Sequence, residues 1–183
     1  VELRELRVRV NSLRKLPDLS SNRDLLVLDV QENKLCELPF LHNNLHLQHL
    51  NVERNEIHEL PSLDTNFALN YLFVSSNRLT RLPDVSSNTQ LVSIIANANM
   101  LTALPPLQSA LGLQQLSVWG NRLEEIPNLD ANAKLGFLDV GQNNLRALPS
   151  LLHAPELTVL RASFNRLQEL PPVSPHAKLD ILH

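Results

Sequence analysis

Seven histidines and a single cysteine are the residues of this chain that could carry metal or nucleophilic chemistry. His42, His46 and His49 are close enough in sequence for a metal site, provided that their imidazoles converge on one point. Cys36 and His58 could supply a thiol and an imidazole, which together begin a nucleophilic centre. The elements that carry these residues decide whether either group assembles.

The chain has a 22-residue repeat, marked by an asparagine that recurs eight times at this interval. We call these asparagines the reference asparagines and number the repeats by them: Asn11, Asn33, Asn55, Asn77, Asn99, Asn121, Asn143 and Asn165. Positions within a repeat are given as offsets from the reference asparagine, negative before it and positive after it. Proline always stands at offset +6, and six further columns, at offsets −8, −5, −3, +2, +5 and +8, contain only Leu, Ile, Val or Ala. This self-similarity predicts one repeat domain over residues 1–183, with eight units and the start of a ninth at Leu179 and Leu182.

Each unit is predicted to combine a short strand with a tight return segment. Leu28 and Val30 alternate with the residues beside them, which is the period of a strand with one buried face. Apolar residues then come every three positions, as in Leu35, Leu38 and Leu41, a spacing that favours an irregular or 3₁₀-like turn. The proline fixes its φ and lacks an N–H, so this segment is neither a paired strand nor a helix interior. Because one unit cannot bury its own apolar face, neighbouring units must share a continuous core.

The reference asparagine stands where the chain leaves the strand. Its amide offers donors and an acceptor, so a column of such amides can satisfy buried backbone groups, and we assign it a structural role. A second column, at offset +11, contains asparagine in five repeats and is broken in three: Asn22, Asn44, Asn66, Asn88 and Asn132, with Ala110, Ala154 and His176. Serines near Asn22 and Asn88 are typical of turns closed by side-chain to backbone hydrogen bonds.

The repeat separates the groups that could do chemistry. The three histidines stand at offsets +9, +13 and −6, on different parts of a coil, which argues against a metal site. Cys36 and His58 share a column on adjacent repeats, but the next member is Thr80 and no third residue orients them. Glu124 and Glu125 are adjacent, point apart and lack a facing pair. We expect no catalytic residue, no cofactor and no metal in this segment.

Composition excludes two further classes of partner. The net charge is -3 at pH 7, whereas nucleic-acid binders show a basic excess or stripe. The chain has 41 leucines but no apolar run near the ~18 residues needed to cross a bilayer, so we expect no membrane span. A single cysteine excludes an internal disulfide framework and fits a reducing, cytosolic environment.

The columns read LxxLxVxxN followed by LxxLP, and over residues 3–182 this pattern resembles that of leucine-rich repeat proteins. It is most similar to the LPX-type repeats of bacterial effectors, the YopM and IpaH/SspH kind. The resemblance implies an α/β-type repeat solenoid, a right-handed superhelix with a parallel concave β-sheet and mostly irregular or 3₁₀ convex segments. It also implies a domain that recognises a host protein after secretion by a bacterium into the host cytoplasm.

Two alternatives stay open for the longer protein. In some members of the effector group a leucine-rich repeat domain is the substrate-recognition half of an E3 ubiquitin ligase, whose cysteine centre lies in a separate C-terminal domain. Cys36 is followed by Glu37 and Leu38, unlike the Cys-x-Asp motif of those ligases. The 22-residue unit resembles instead the SDS22-like class of cytosolic phosphatase-regulating scaffolds, whereas the effectors commonly use 20. We expect flanking capping segments in the parent protein, because terminal coils of solenoids need shielding.

Recognition is predicted on the concave face, which we define as the strand positions at offsets −6, −4, −2 and −1. Five of the seven aromatic residues fall there, and exposed apolar surface marks interaction sites. The predicted partner-binding residues are Tyr71, Phe73, Ile95, Trp119, Phe137, Phe164, Glu53 and Arg54. Trp119 is the strongest candidate, since it is the only tryptophan and Gly120 leaves space beside it.

Charged residues of this face are predicted to pair sideways between neighbouring repeats. Residues of one column in successive repeats are lateral neighbours, and three such pairs have opposite charges: Arg7 with Asp29, Glu32 with Arg54, and Asp139 with Arg161. Cross-strand pairs of this kind contribute modestly to stability and leave little net field. The concave charges are therefore expected to give orientation and specificity rather than affinity.

Overall fold

A computed structural model describes residues 2–175, Ala177 and the backbone strand at Ile181–Leu182. The predicted ninth-strand residue Leu179 and the column member His176 lie outside the described residues. Within them, nine strands form one parallel sheet in chain order: β1 (Glu5–Arg7), β2 (Val27–Asp29), β3 (His49–Asn51), β4 (Tyr71–Phe73), β5 (Ser93–Ile95), β6 (Gln115–Ser117), β7 (Phe137–Asp139), β8 (Val159–Arg161) and β9 (Ile181–Leu182). Paired residues of adjacent strands belong to the same column of successive repeats, as in Tyr71 beside Ser93. The prediction of one strand per repeat is confirmed.

The backbone ladder continues beyond the three-residue strands. In repeat five, the N–H groups of Ala96 and Ala98 donate to the carbonyl oxygens of Ser117 and Trp119, both at 2.8 Å. Equivalent bonds join the other neighbouring coils of repeats one to eight, so each coil is held to the next as far as the point where the chain turns away. Parallel pairing therefore extends over the whole concave face.

A left-handed residue ends this extended segment in every repeat. The residue before each reference asparagine has a positive φ, between 48° and 58° in seven repeats and 68° at Gly120. A left-handed backbone costs a residue with a Cβ roughly 1–2 kcal/mol, and glycine avoids that cost. The next coil enforces the conformation, because the N–H of the same residue donates to the carbonyl at offset −2 of the next repeat, as Ala98 does to Trp119.

We expect opposite effects from two exchanges in this column. Ala98→Gly should raise the free energy of unfolding, and Gly120→Ala should lower it, each by up to about 1 kcal/mol. A Cβ on Gly120 would lie 3.6 Å from the nearest atoms of Ala98, so the backbone conformation alone sets the cost. Urea unfolding of the two variants tests this, and a loss of stability in Ala98→Gly would contradict it.

The predicted apolar columns form the core. Leu50, Leu72, Ile94 and Leu116, which occupy the same inward strand position in consecutive repeats, have no exposed surface. Burial decreases towards the first and last units, where for example Leu170 keeps 63% of its surface exposed. The continuous core between coils predicted from the repeat is confirmed.

The return segments are irregular. The described residues contain no helix, and so none with the length and apolar character that crossing a bilayer requires. Two successive i→i+3 hydrogen bonds close the turn that follows the proline segment at offsets +5 to +8. They run from Asn44 N–H to Leu41 O at 3.0 Å and from Leu47 N–H to Asn44 O at 3.1 Å. The 3₁₀-like geometry thus lies just beyond the proline segment itself.

The reference asparagines have the structural role predicted for them. Asn55 accepts a hydrogen bond from Leu35 N–H at 3.0 Å, and its Nδ2 donates to Val30 O at 3.0 Å and Val52 O at 3.1 Å. Equivalent bonds hold the other reference asparagines of repeats two to eight. Each side chain therefore satisfies backbone groups of its own coil and of the preceding one.

The asparagines of the second column, at offset +11, make fewer side-chain hydrogen bonds than the reference asparagines. Asn66 is fully buried, and its Nδ2 donates to Leu41 O at 3.1 Å and Asn44 O at 2.9 Å. Its Oδ1 is buried and accepts no bond within the described residues. Ala110 and Ala154 are buried at the same position of other repeats, so this column tolerates alanine where the reference column does not vary.

The predicted turn chemistry of the serines is also confirmed. The carboxylate of Asp18 accepts bonds from Ser20 N–H at 2.9 Å and from Ser20 Oγ at 2.8 Å, and these bonds lower the pKa of Asp18 below its ordinary value. Asp84 and Ser86 make the same pair of bonds. These turns fix the path of the return segment.

Candidate functional site

The concave face has an uncharged centre between two charged flanks. All outward residues of β4 to β6 and of the turns after them are uncharged, from Tyr71 to Gly120. Charged outward residues occur in repeats one to three and in repeats seven and eight. The centre includes four of the predicted partner-binding residues: Tyr71, Phe73, Ile95 and Trp119.

The repeat pattern predicts that all the outward positions are available for recognition, and this is wrong for several of them. Asp29, Asn51, Ser93, Ser117 and Asp139 are buried in spite of their outward positions. The side chains of Asp29, Asn51 and Asp139 fold back onto the sheet, because backbone N–H groups beyond the strand ends need acceptors. Asn51 Oδ1 accepts from Glu53 N–H, and Asp139 Oδ1 accepts from Gly141 N–H, both at 3.1 Å. These polar residues support the face rather than present themselves to a partner.

Asn97 organises the uncharged centre. Its Oδ1 accepts bonds from Ser117 Oγ and from Trp119 N–H, both at 2.8 Å. Its own N–H donates to Ser75 Oγ at 3.2 Å. Through its side chain and its backbone N–H, this one residue of repeat five joins the outward residues of repeats four, five and six into a single hydrogen-bonded unit.

The three predicted lateral ion pairs are present. The closest N–O distances are 3.7 Å for Arg7 with Asp29, 2.8 Å for Arg54 with Glu32, and 3.8 Å for Arg161 with Asp139. Arg9 pairs with Asp29 as well, and the hydrogen bond to that carboxylate raises the pKa of Arg9. The arginines are about half exposed, so their pairs contribute little to stability, but they neutralise the flanks locally.

Three rings pack together at the edge of the uncharged centre. The ring centroid of His49 lies 5.6 Å from Tyr71 and 5.1 Å from Phe73, and the two aromatic rings lie 6.0 Å apart. The predicted partner-binding residues include Tyr71 and Phe73 but not His49, although His49 stands at an outward position of the concave face. Its offset of −6 was the available signal, because that column is occupied by Tyr71 in the next repeat.

Burial lowers the pKa of His49 below its ordinary value of 6.5. The nearby positive charges of Arg7 and Arg9 act in the same direction, and Asp29 opposes them. The folded state therefore binds a proton at His49 less readily than the unfolded state does. The stability that follows is present at neutral pH and decreases as pH falls through about 6.5 towards the lower folded pKa.

We expect the midpoint of urea unfolding to fall between about pH 7.5 and about pH 5, and part of that fall to vanish in His49→Phe. Phenylalanine keeps the ring contacts with Tyr71 and Phe73 and cannot titrate. His58→Phe, which replaces an exposed histidine, is the control and should keep the full pH dependence. An identical pH dependence in wild type and His49→Phe would show that His49 does not cause it.

Trp119 lies across the neighbouring strand. A Cβ added to Gly141 would come 2.9 Å from Trp119 Cδ1, so the indole occupies space that only a glycine leaves free. The ring stays 39% exposed, and no other ring contacts it within residues 2–175. The sequence points to Gly120 as the residue that leaves this space. In the structure it is Gly141, the next member of the Trp119 column, whose missing side chain makes room for the indole.

The remaining predicted residues are placed differently from one another. Ile95 is half-buried beside Phe73, its register partner on β4. Phe137 is half-buried with the Arg161 guanidinium 5.4 Å above its ring centroid. Phe164 keeps 78% of its surface exposed at a left-handed position, far along the sheet from Tyr71.

Of the two charged residues predicted to bind a partner, Glu53 is half-buried, and Arg54 is exposed and bound to Glu32.

A shallow depression of about 510 Å³ opens where β4 to β7 begin. Tyr71, Ser93, Gln115 and Phe137 line it, together with the charged residues Lys134 and Glu156. Ser93 Oγ donates to Gln115 Oε1 at 3.2 Å. The depression joins the uncharged centre to the aromatic residue of repeat seven.

Cys36 and His58, the pair considered for nucleophilic chemistry, share no hydrogen bond within the described residues. Cys36 is an exposed free thiol in a depression beside Arg14, Lys15 and Lys34. Residues 2–175 and Ala177 contain no group of three or more His, Cys, Asp or Glu side chains that could hold a metal ion. Several exposed apolar residues lie off the sheet, among them Phe40, Phe67 and Leu111.

No protein-family model and no curated protein matches the chain. Solved structures do. The functional domain of InlJ from Listeria monocytogenes, which includes a cysteine ladder, is 28% identical, with a TM-score of 0.69 over 92% of this chain and 41% of that one. The leucine-rich repeat protein LIC12759 from Leptospira interrogans is 24% identical, with a TM-score of 0.68 over 92% of this chain and 51% of that one.

YopM, a leucine-rich effector protein from Yersinia pestis, is 25% identical, with a TM-score of 0.57 over 99% of this chain and 71% of that one. The chain spans only about two fifths of the InlJ structure and half of LIC12759. The similarity to these structures is one of overall fold. Solenoids of this kind present an extended concave surface for protein binding. The chain has the fold of leucine-rich repeat proteins, a parallel-strand solenoid of 22-residue turns.

Proposed function

We propose that the chain is a non-catalytic recognition module that binds a protein partner on its concave face, centred on β4 to β6. The observation that carries this proposal is the uncharged centre itself. It exposes Trp119 and Tyr71 on a sheet whose outward charges, apart from Glu53, are bound in ion pairs with one another. Truncation of an aromatic anchor at a protein interface typically costs ~2 kcal/mol or more, so these two rings can supply much of the binding energy.

Site-specific photocross-linking tests where the partner sits. A benzophenone-bearing phenylalanine analogue at Ser76 would stand at the edge of the uncharged centre, in the column that already accepts Phe164. The same analogue at Arg146, which is exposed and off the sheet, is the matched control. We expect one discrete adduct from Ser76 after irradiation in host-cell lysate and none from Arg146. Adducts formed only from Arg146 would move the site off the sheet.

We further propose that the parent protein is a bacterial effector that acts in the host cytoplasm. The LPX-type repeat and the similarity to the leucine-rich effector protein YopM support this setting. A translocation reporter fused to the parent protein tests it: reporter signal inside co-cultured host cells is expected in a strain with a working secretion system. Signal that persists in a secretion-deficient strain, or none in either, would contradict the effector role.

The ligase alternative predicts a different parent protein. A downstream domain with a Cys-x-Asp motif, and ubiquitin discharge by that domain in vitro, would make this chain the substrate-recognition half of an E3 ubiquitin ligase. An SDS22-like scaffold would instead co-purify a phosphatase catalytic subunit through the concave face. Both alternatives keep the binding role of the uncharged centre and change only what is attached to it.

A further inference from the structure

The uncharged centre restricts the chemistry of its partner. Most of the charges nearest to it are already paired within the chain: Glu32 binds Arg54 on one side, and Asp139 binds Arg161 on the other, whereas the half-buried Glu53 makes no ion pair among the described residues. An incoming anion would gain no free outward cation there, an incoming cation would gain only Glu53, and either would lose its hydration. An uncharged, partly apolar surface meets no such penalty.

Two amides in this region have donors to spare. Asn97 Oδ1 is occupied by Ser117 and Trp119, and Gln115 Oε1 is occupied by Ser93. The NH₂ groups of these two amides, Asn97 Nδ2 and Gln115 Nε2, remain without an acceptor, since neither donates a hydrogen bond within residues 2–175. The side chains are held in place by their oxygens, so both NH₂ groups are presented in fixed positions. Backbone carbonyl oxygens of a polypeptide are the natural acceptors for such donors.

The indole of Trp119 provides a fixed apolar surface next to these donors. It rests where only Gly141 allows it to lie, while Asn97 holds its backbone N–H. From Gln115 to Trp119 the extended chain rises ~13 Å, and β4 to β6 span ~10 Å. This area is too small for a whole protein interface and suits the central contact of one.

We infer that the partner presents an uncharged segment to β4–β6, with an apolar side chain against Trp119 and carbonyl oxygens on Asn97 Nδ2 and Gln115 Nε2. The inference rests on the proposed function and adds the kind of partner. It makes Gly141 a positioning residue, because its missing side chain sets the place of the ring. It also predicts that binding is nearly independent of salt, in contrast to charge-steered association.

Peptide selection tests this with a defined probe. Random peptides of about ten residues, displayed on phage, are selected on the full chain, and the best binder is synthesised without its phage. Trp119 is the only tryptophan, so its fluorescence reports directly on contact at the site. We expect selected peptides to be poor in Asp, Glu, Lys and Arg, to shift the Trp119 emission, and to change in Kd by less than about twofold between about 50 and about 500 mM NaCl.

Two variants probe the contacts separately. Asn97→Asp keeps the acceptor for Ser117 and Trp119 but removes the donor and adds a charge, so the peptide Kd should rise by about tenfold or more. Gly141→Ala should displace the indole and weaken binding, with a changed emission already in the free protein. Gln142→Glu adds a charge on an exposed outward residue beside the centre and is the control, with less than about twofold effect.

The outcomes separate the inference from the proposed function. Peptides rich in charge, or a Kd that rises more than about tenfold with salt, would overturn the inference while leaving the concave face as the binding site. Selection of no peptide that shifts Trp119 emission would contradict both. Emission shifts with neutral oligosaccharides, and not with peptides, would replace the protein segment by a glycan.

Discussion

The double variant Trp119→Ala with Phe73→Ala is expected to weaken partner binding at least about tenfold while the melting temperature stays within a few degrees of wild type. The two rings lie on the outward side of the sheet, in the uncharged centre. Trp119 is 39% exposed, so its removal opens no enclosed cavity of the kind that typically costs ~3–5 kcal/mol. Titration of the photocross-linked partner, once identified, measures the change in Kd.

Phe67→Ala is the matched control for this variant, because it removes an aromatic ring that is 57% exposed away from the sheet. Arg146→Ala removes an exposed charge off the sheet and should change neither binding nor stability. Binding that survives the double variant and is lost in Phe67→Ala would place the partner on the surface around Phe67, away from the sheet. A large fall in melting temperature would instead make the rings part of the core.

Asn99→Ala is expected to lower the free energy of unfolding by ~1–3 kcal/mol. Asn99 is only 8% exposed and serves two coils at once. Its Oδ1 accepts from Leu79 N–H at 3.0 Å, and its Nδ2 donates to Val74 O at 3.0 Å and Ala96 O at 3.3 Å. Alanine leaves these backbone groups without partners inside the solenoid, and that penalty exceeds the net value of the bonds themselves.

Two controls identify the cause in urea unfolding experiments. Glu124→Ala, on an exposed residue, should be close to neutral. Asn88→Ala removes a fully buried asparagine of the second column, where Ala110 already occurs one repeat later. We expect it to cost less than Asn99→Ala. Equal losses of stability in Asn88→Ala and Asn99→Ala would mean that the loss depends on burial alone. Equal stability of Asn99→Ala and Glu124→Ala would refute the structural role of the reference asparagines.

The fold was predictable because one pattern is repeated eight times. In any single unit, the alternation of Leu28 and Val30 is too short to distinguish a strand from an irregular segment. Repetition makes each column an independent observation of the same environment, so core positions, strand register and the role of the reference asparagine all follow. The lateral ion pairs follow as well, since equal spacing brings like columns side by side.

The side-chain conformations on the concave face were less predictable, because they depend on contacts that each side chain makes with the folded sheet. The sequence does not show that Asp139 and Asn51 fold back onto backbone N–H groups, because nothing in their type separates them from free recognition residues. Gly141 serves Trp119 from the next repeat, and only the direction of the indole reveals it. The left-handed column was hidden because seven of its eight residues are not glycine.

Each hydrogen bond between coils joins residues about one repeat apart, such as Leu79 with Asn99 and Val74 with Asn99, separated by 20 and 25 residues. No coil of repeats two to seven therefore depends on any beyond its two neighbours for these bonds. A gene encoding such a chain can gain or lose a whole unit through unequal recombination and still specify a folded product. The binding surface would then change in length by one strand at a time, which gives selection a ready means of fitting it to a new partner.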